Sequence, residues 1–201
     1  MKKILPFFSY AFHPIFISVF AVVFFFFNTT GYFNYETVYL YIIQTLIITV
    51  FIPLAIFYLL VTLNKIDSIM VPDVTQRKFP LVIQTALFGT LLFKSFTLSV
   101  SPELYYFFLG SMISSTIALG LVFFKKKASL HMLGMASLTV FCIGCLMHFG
   151  IKNVYFVSGL LLCNGLVASS RFEMKAHTLT ELTLGYTIGL IPQFVLLFYW
   201  L

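Results

Sequence analysis

The chain has 201 residues, 61% of them hydrophobic and 9% charged, with twelve Lys and Arg against six Asp and Glu. A soluble domain carries roughly a quarter charged residues, so this composition excludes one and predicts an all-α, polytopic transmembrane helix bundle. The net charge of +6 sits at the ends of apolar runs, which argues against nucleic acid as a partner and leaves membrane lipids as the surroundings.

A membrane helix takes about 20 apolar residues. Seven runs approach that length, predicting six or seven spans in a single domain. The first, about Phe7 to Phe27, follows Lys2 and Lys3 without a small-residue cleavage site, so no cleavable signal peptide is expected. His13-Pro14 predicts a break inside it, because proline disfavours helix in the residue before it. Asn28-Thr29-Thr30-Gly31 closes that run. The second run, about Thr37 to Leu63, is long enough to tilt or to kink at Pro53. A polar loop from Asn64 to Phe79 follows. Two runs, Leu81 to Val100 and Glu103 to Phe124, turn at Ser101-Pro102, and Lys125-Lys126-Lys127 comes next. Runs over Leu130–Phe149 and Val154–Ser169 turn at Gly150-Ile151-Lys152-Asn153. The polar segment Ser170–Ala176 leads into the last run, His177 to Leu201, where Gly185 and Gly189 are spaced for close helix contact. Residues 1–63 read as N-terminal spans and 64–201 as a core. Cys142, Cys145 and Cys163 all fall in apolar runs and read as small packing residues. No second thiol pair or histidine set completes a metal or redox site, so no metal and no cofactor are expected.

The loops at 64–80, 125–131 and 170–177 are separated by two crossings each, which places them on one side of the membrane. With the N-terminus they hold ten of the twelve cations, leaving Lys94 and Lys152 on the other side. That asymmetry points the loops to the cytoplasm.

The same loops carry the chemistry. Arg77 and Lys78 come from the first; Lys127, Ser129 and His131 from the second, at a helix start; Arg171, His177 and Glu181 from the third, at another helix start. Two helix N-termini aimed at one point favour an anion. Arginine offers a planar fork suited to phosphate oxygens. His177 and Glu181, four apart, share one face of a helix, so the carboxylate fixes the ring's tautomer and leaves its other nitrogen as nucleophile or base. Two histidines and several cations suit phosphoryl transfer without a metal. Each residue also has a plainer reading. His177 with Glu181 reads as a polar pair at a helix end, and Arg77 and Lys78 as membrane-edge anchors. Lys125–Lys127 reads as an orienting charge run. His13 and His148 have no partner in sequence and read as interfacial or packing residues, and Asp67 and Asp73 as loop residues.

The spacing resembles the type 2 phosphatidic acid phosphatase superfamily, in its integral membrane branch and in a divergent, Bacteroidetes-like bacterial form. That family carries a lysine, six residues and Arg-Pro; later Pro-Ser-Gly-His; later Ser-Arg, five residues, His, three residues and Asp. The third motif is matched by Ser170, Arg171, His177 and Glu181, with Glu for Asp, and the second by Ala128-Ser129-Leu130-His131. In the first, Arg77 is in place, Met70 stands where the lysine would be, and Pro80 follows three residues after the arginine. The resemblance covers about Asp67 to Leu201. It implies a helical phosphatase core in a bacterial inner membrane, acting on a lipid phosphate or lipid diphosphate. His177 would be the nucleophile that forms a phosphohistidine, Glu181 its orienting carboxylate and His131 the general acid. Arg171, Arg77 and Ser129 would hold phosphate oxygens, with Lys78 or Lys127 supplying the charge that Met70 lacks. Members of the family usually face outward, against the charge asymmetry. Met70, Leu130 and Glu181 admit a second reading: a catalytically lapsed member of the fold that binds or moves a lipid or anion. Which lipid is recognised and the oligomeric state stay open.

Overall fold

A computed structural model describes residues 5–65 and 74–201. Lys2, Lys3, Asp67, Met70 and Asp73 lie outside the described residues. The chain is 79% helix with no strand among the described residues, as its composition predicts. The first run is indeed broken: α1 (Leu5–Ala11) and α2 (Pro14–Asn28) meet at 65°. Pro14 opens α2 at its first turn, where a missing N–H costs nothing, and the His13 side chain caps it by accepting from the Ile15 N–H. Asn34 caps α3 (Tyr35–Leu46), which passes through a π-helical turn, Ile47–Phe51, into α4 (Ile52–Thr62). Pro53 has no N–H to return to Thr49, and the helix adapts by widening just ahead of it, with the Ile52 N–H bonding five residues back to Ile47. The three pieces form one 28-residue stretch.

After a short 3-10 turn, Thr75–Arg77, comes α5 (Lys78–Lys94). It stops well before Val100, where the sequence reading ends it. The chain turns at Ser95 so that Phe96 can bury completely in the core. At 17 residues α5 is about 26 Å long, short of a bilayer core of about 30 Å. The described residues therefore hold five helices long and apolar enough to cross a membrane, or six if α1 and α2 make one bent span. Six is the lower of the two counts expected, and α5 is the run that falls short of a seventh.

The remaining helices are α6 (Pro102–Phe123), α7 (Leu130–His148), α8 (Val154–Glu173) and α9 (Leu179–Leu197), capped in turn by Ser101, Ser129, Asn153 and Thr178. Of the candidate spans α7 is the central one, 72% buried against 22% for α8. Its own Phe141 is nearly inaccessible, as are Phe25 of α2 and Phe107 and Phe108 of α6. Gly185 and Gly189 bring α9 against α7: a methyl group on the first would fall on the Ser129 carbonyl and one on the second on the Leu133 carbonyl. Pro192 sits inside α9 and cannot donate to Ile188 four residues back. The Ser114 hydroxyl of α6 donates to that freed carbonyl at 2.9 Å, and Ser137 of α7 donates to Gly189 O at 3.2 Å. A proline that would break a lone helix thus ties α9 to both neighbours.

Candidate functional site

Two matching corners build the site. Helix α6 ends with Lys125 in the left-handed region (φ 56), and α8 ends with Lys175 likewise (φ 51). Each corner closes with the same pair of backbone bonds: Lys125 N–H to Val122 O and Lys126 N–H to Leu121 O in one, Lys175 N–H to Phe172 O and Ala176 N–H to Arg171 O in the other. Each is followed within a few residues by a hydroxyl cap, Ser129 or Thr178. The corners touch. The Ser129 N–H donates to Glu181 O at 3.0 Å, and the Lys127 ammonium donates to Ala176 O at 2.8 Å. Arg77, just ahead of α5, donates from a terminal guanidinium nitrogen to Ala128 O at 3.3 Å. Arg77 and the two corners thus meet at one end of the bundle.

Two expectations about local structure change. Ser170 and Arg171 belong to the last turn of α8, because that helix runs to Glu173 instead of stopping at Ser169. His177 precedes α9, which begins at Leu179, so it shares no helix face with Glu181. The two residues meet all the same. Glu181 is the third residue of a capping box: Thr178 Oγ accepts from the Glu181 N–H while Glu181 Oε2 accepts from the Thr178 N–H, both at 3.3 Å. The same oxygen accepts from His177 Nδ1 at 2.8 Å and lies 4.0 Å from Lys127 Nζ. A carboxylate only accepts, so Nδ1 carries the proton and Nε2 is left bare. Burial pulls the His177 ring down to about 4; the Glu181 hydrogen bond opposes this, and Lys127, Arg77 and Arg171 add to it. His177 is neutral near pH 7, with a free lone pair. Lys127 is lowered as well, by burial first and then by Arg77 and Arg171, against the pull of Glu181.

His131, in the first turn of α7, is held from an unexpected direction. Its Nε2 lies 3.1 Å from the carbonyl of Ser9, in α1. The Ser9 hydroxyl in turn lies 2.6 Å from that of Ser170 in α8. His13 places its ring edge-to-face on His131, with centroids 5.1 Å apart. The first span is therefore built into the site.

A cavity of about 180 Å³ connects these groups. His13, Arg77, His131, Arg171 and His177 line its corner end, and among the described residues no Asp or Glu does. Its walls continue along the helices past Ile17, Pro53, Phe57, Leu81 and Leu133 to Phe88, a mainly apolar lining with Gln84 and the hydroxyls of Ser18, Ser111, Ser115 and Ser137 among it. Arg171 Nε is buried without a hydrogen-bond partner. Leu130, at the position of the family's glycine, also lines the cavity. Not every residue singled out in the sequence arrives there. Ser129 is wholly buried as the cap of α7, and Lys127 is turned towards Ala176 and Glu181. Lys78 is exposed, with its ammonium 4.9 Å from the centre of the Phe123 ring, so the structure does not bring it to the cavity. His148, at the opposite end of the bundle, lies 3.6 Å from Glu103.

Compared with known protein families, with curated proteins and with solved structures, the chain matches none.

Proposed function

We propose that this chain is a metal-independent membrane lipid phosphatase of a bacterial inner membrane, built on a divergent type 2 phosphatidic acid phosphatase core. It hydrolyses a lipid phosphate monoester or diphosphate. One observation carries the reading: a histidine with a carboxylate 2.8 Å from one ring nitrogen lines a cavity that two arginines make positive and whose remaining walls are mainly apolar. A lipid phosphate has the same polarity, an anionic head on an apolar chain.

In this mechanism Arg171 and Arg77 hold the phosphate oxygens and spread the charge that builds up on them. His177 Nε2 attacks phosphorus. An N–P bond forms, the P–O bond to the leaving group breaks, and His131, which carries a second proton on Nδ1 beside the bound phosphate dianion, gives that proton to the departing oxygen. The Nδ1 proton of His177 stays on the ring and is donated to Glu181, whose negative charge supports the positive ring. Water then attacks the phosphohistidine, passing a proton to His131 and releasing phosphate. The Ser9 carbonyl serves His131 as Glu181 serves His177, by fixing which ring nitrogen faces away from the cavity chemistry.

Leu130 in the lining gives the second reading its support: it occupies space that a glycine would leave to phosphate, as in a lapsed member that only binds or moves a lipid or anion. Phosphate release from a panel of lipid phosphates, by purified protein in detergent with EDTA, separates the two. Release that survives EDTA and is lost in His177→Ala is the expected result. Binding without release, in wild-type protein that is folded, would favour the lapsed reading.

A further inference from the structure

We propose that His13, from the elbow between α1 and α2, is a phosphate-binding residue of this cavity, donating through its Nε2–H. The assignment rests on the anion site just described and extends it to a residue outside the motifs that suggested it. His13 lines the cavity together with Arg171, His131 and His177. Its Nδ1 accepts from the Ile15 N–H at 3.3 Å, which places the neutral ring's proton on Nε2. That N–H meets no hydrogen-bond partner among the described residues. The neighbouring ring differs. His131 faces a carbonyl at Ser9, and a carbonyl only accepts, so the Nε2–H of His131 is already used. The edge-to-face contact between the two rings fixes where His13 can point. Of the three imidazoles, one is anchored by a carboxylate and is the nucleophile, one is anchored by a backbone carbonyl and serves the leaving group, and His13 keeps a ring N–H to offer the phosphate oxygens.

The elbow is held for this task from both sides. Pro14 starts α2 beneath His13, and the Ser9–Ser170 contact pins α1 to the helix that carries Arg171. A neutral donor also suits a cavity already rich in cations, because it adds a hydrogen bond to phosphate without adding charge beside Arg171. No proton is transferred from this ring.

The test is a titration of 15N-histidine-labelled protein in detergent micelles with inorganic phosphate. Before phosphate, His13 should show the Nε2–H tautomer; on addition its Nε2 signal should move together with that of His177. Asparagine is a favoured helix cap but is too short to reach as Nε2 does, so His13→Asn keeps the start of α2 while removing the donor. Phosphate affinity, read on the His177 signals, should fall about ten-fold in His13→Asn and return to within about three-fold of wild type in His13→Gln. Unchanged affinity in His13→Asn, or a His13 signal that ignores phosphate while His177 responds, would leave the anion site standing and reduce His13 to a cap. Phosphate moving none of the three histidines would overturn the anion site, and this assignment with it.

Discussion

Glu181 does three things with one carboxylate: it closes a helix start, receives a lysine and fixes the tautomer of His177. That concentration explains why the His–Glu contact could be read in the sequence although the stated reason was wrong. A spacing of four suits a helix face, but it also suits a residue just ahead of a cap and the third residue beyond it. Arg171, His131 and His177 were legible for a similar reason, since short spacings carry them. His13 was not, because His131 and Arg171, which it meets at the cavity, come from two other helices that only folding brings near. The pH dependence belongs at this scale. His177 must be unprotonated to attack, and its ring is pulled from 6.5 down to about 4 by burial. The acid limb of the kcat/KM profile should fall through about 4, not 6.5. Stability has the same sign: the folded ring binds its proton less tightly than the unfolded one, so its contribution is complete above about 6.5 and is lost as pH falls towards 4. In Glu181→Gln the carboxylate no longer supports the protonated ring, and the limb should move lower still, with a slower rate. A wild-type limb near 6.5 would put the ring in water.

Helix ends were harder to read than helix existence. Helix α8 gains its last turn through Glu173 because Lys175 can adopt the left-handed corner, and nothing in a run of polar residues announces that conformation. Helix α5 loses its expected tail because Phe96 is needed in the core, a tertiary demand. Pro192 shows the opposite case, where a local signal for a break is overridden by neighbours. Removing the Ser114 hydroxyl should leave Ile188 O unpaired and cost about 1 kcal/mol, while Pro192→Ala restores an N–H that can reach the same carbonyl. The cost of Ser114→Ala should therefore largely vanish in a Pro192→Ala background. Unfolding equilibria of the two single variants and the double variant in mixed micelles measure the coupling. Additive costs would mean that the Ser114 bond does not compensate the proline.

The membrane character of the whole molecule is plain from its apolar runs, because spans long enough to cross leave no other reading of the sequence. The gathering of Arg77, Lys127 and His177 at one end was expected from the same runs, counted with the run of α5 as a crossing. What the runs did not show is that the first span belongs to the site: Ser9 and His13 reach His131 only because α1 and α2 bend by 65° at Pro14. The N-terminal spans, read as an addition to a core, are a wall of its cavity, to which α2 gives Ile17 and α4 gives Pro53 and Phe57. The claim that joins these scales is that His177 takes phosphorus from a lipid. It is tested most directly by brief reaction of the intact protein with a radiolabelled lipid phosphate in EDTA, followed by alkaline quench and peptide mapping. A base-stable, acid-labile label on His177, absent in His177→Ala, is the predicted result. Phosphate release with no label on His177, or with the label on another residue, would contradict the account.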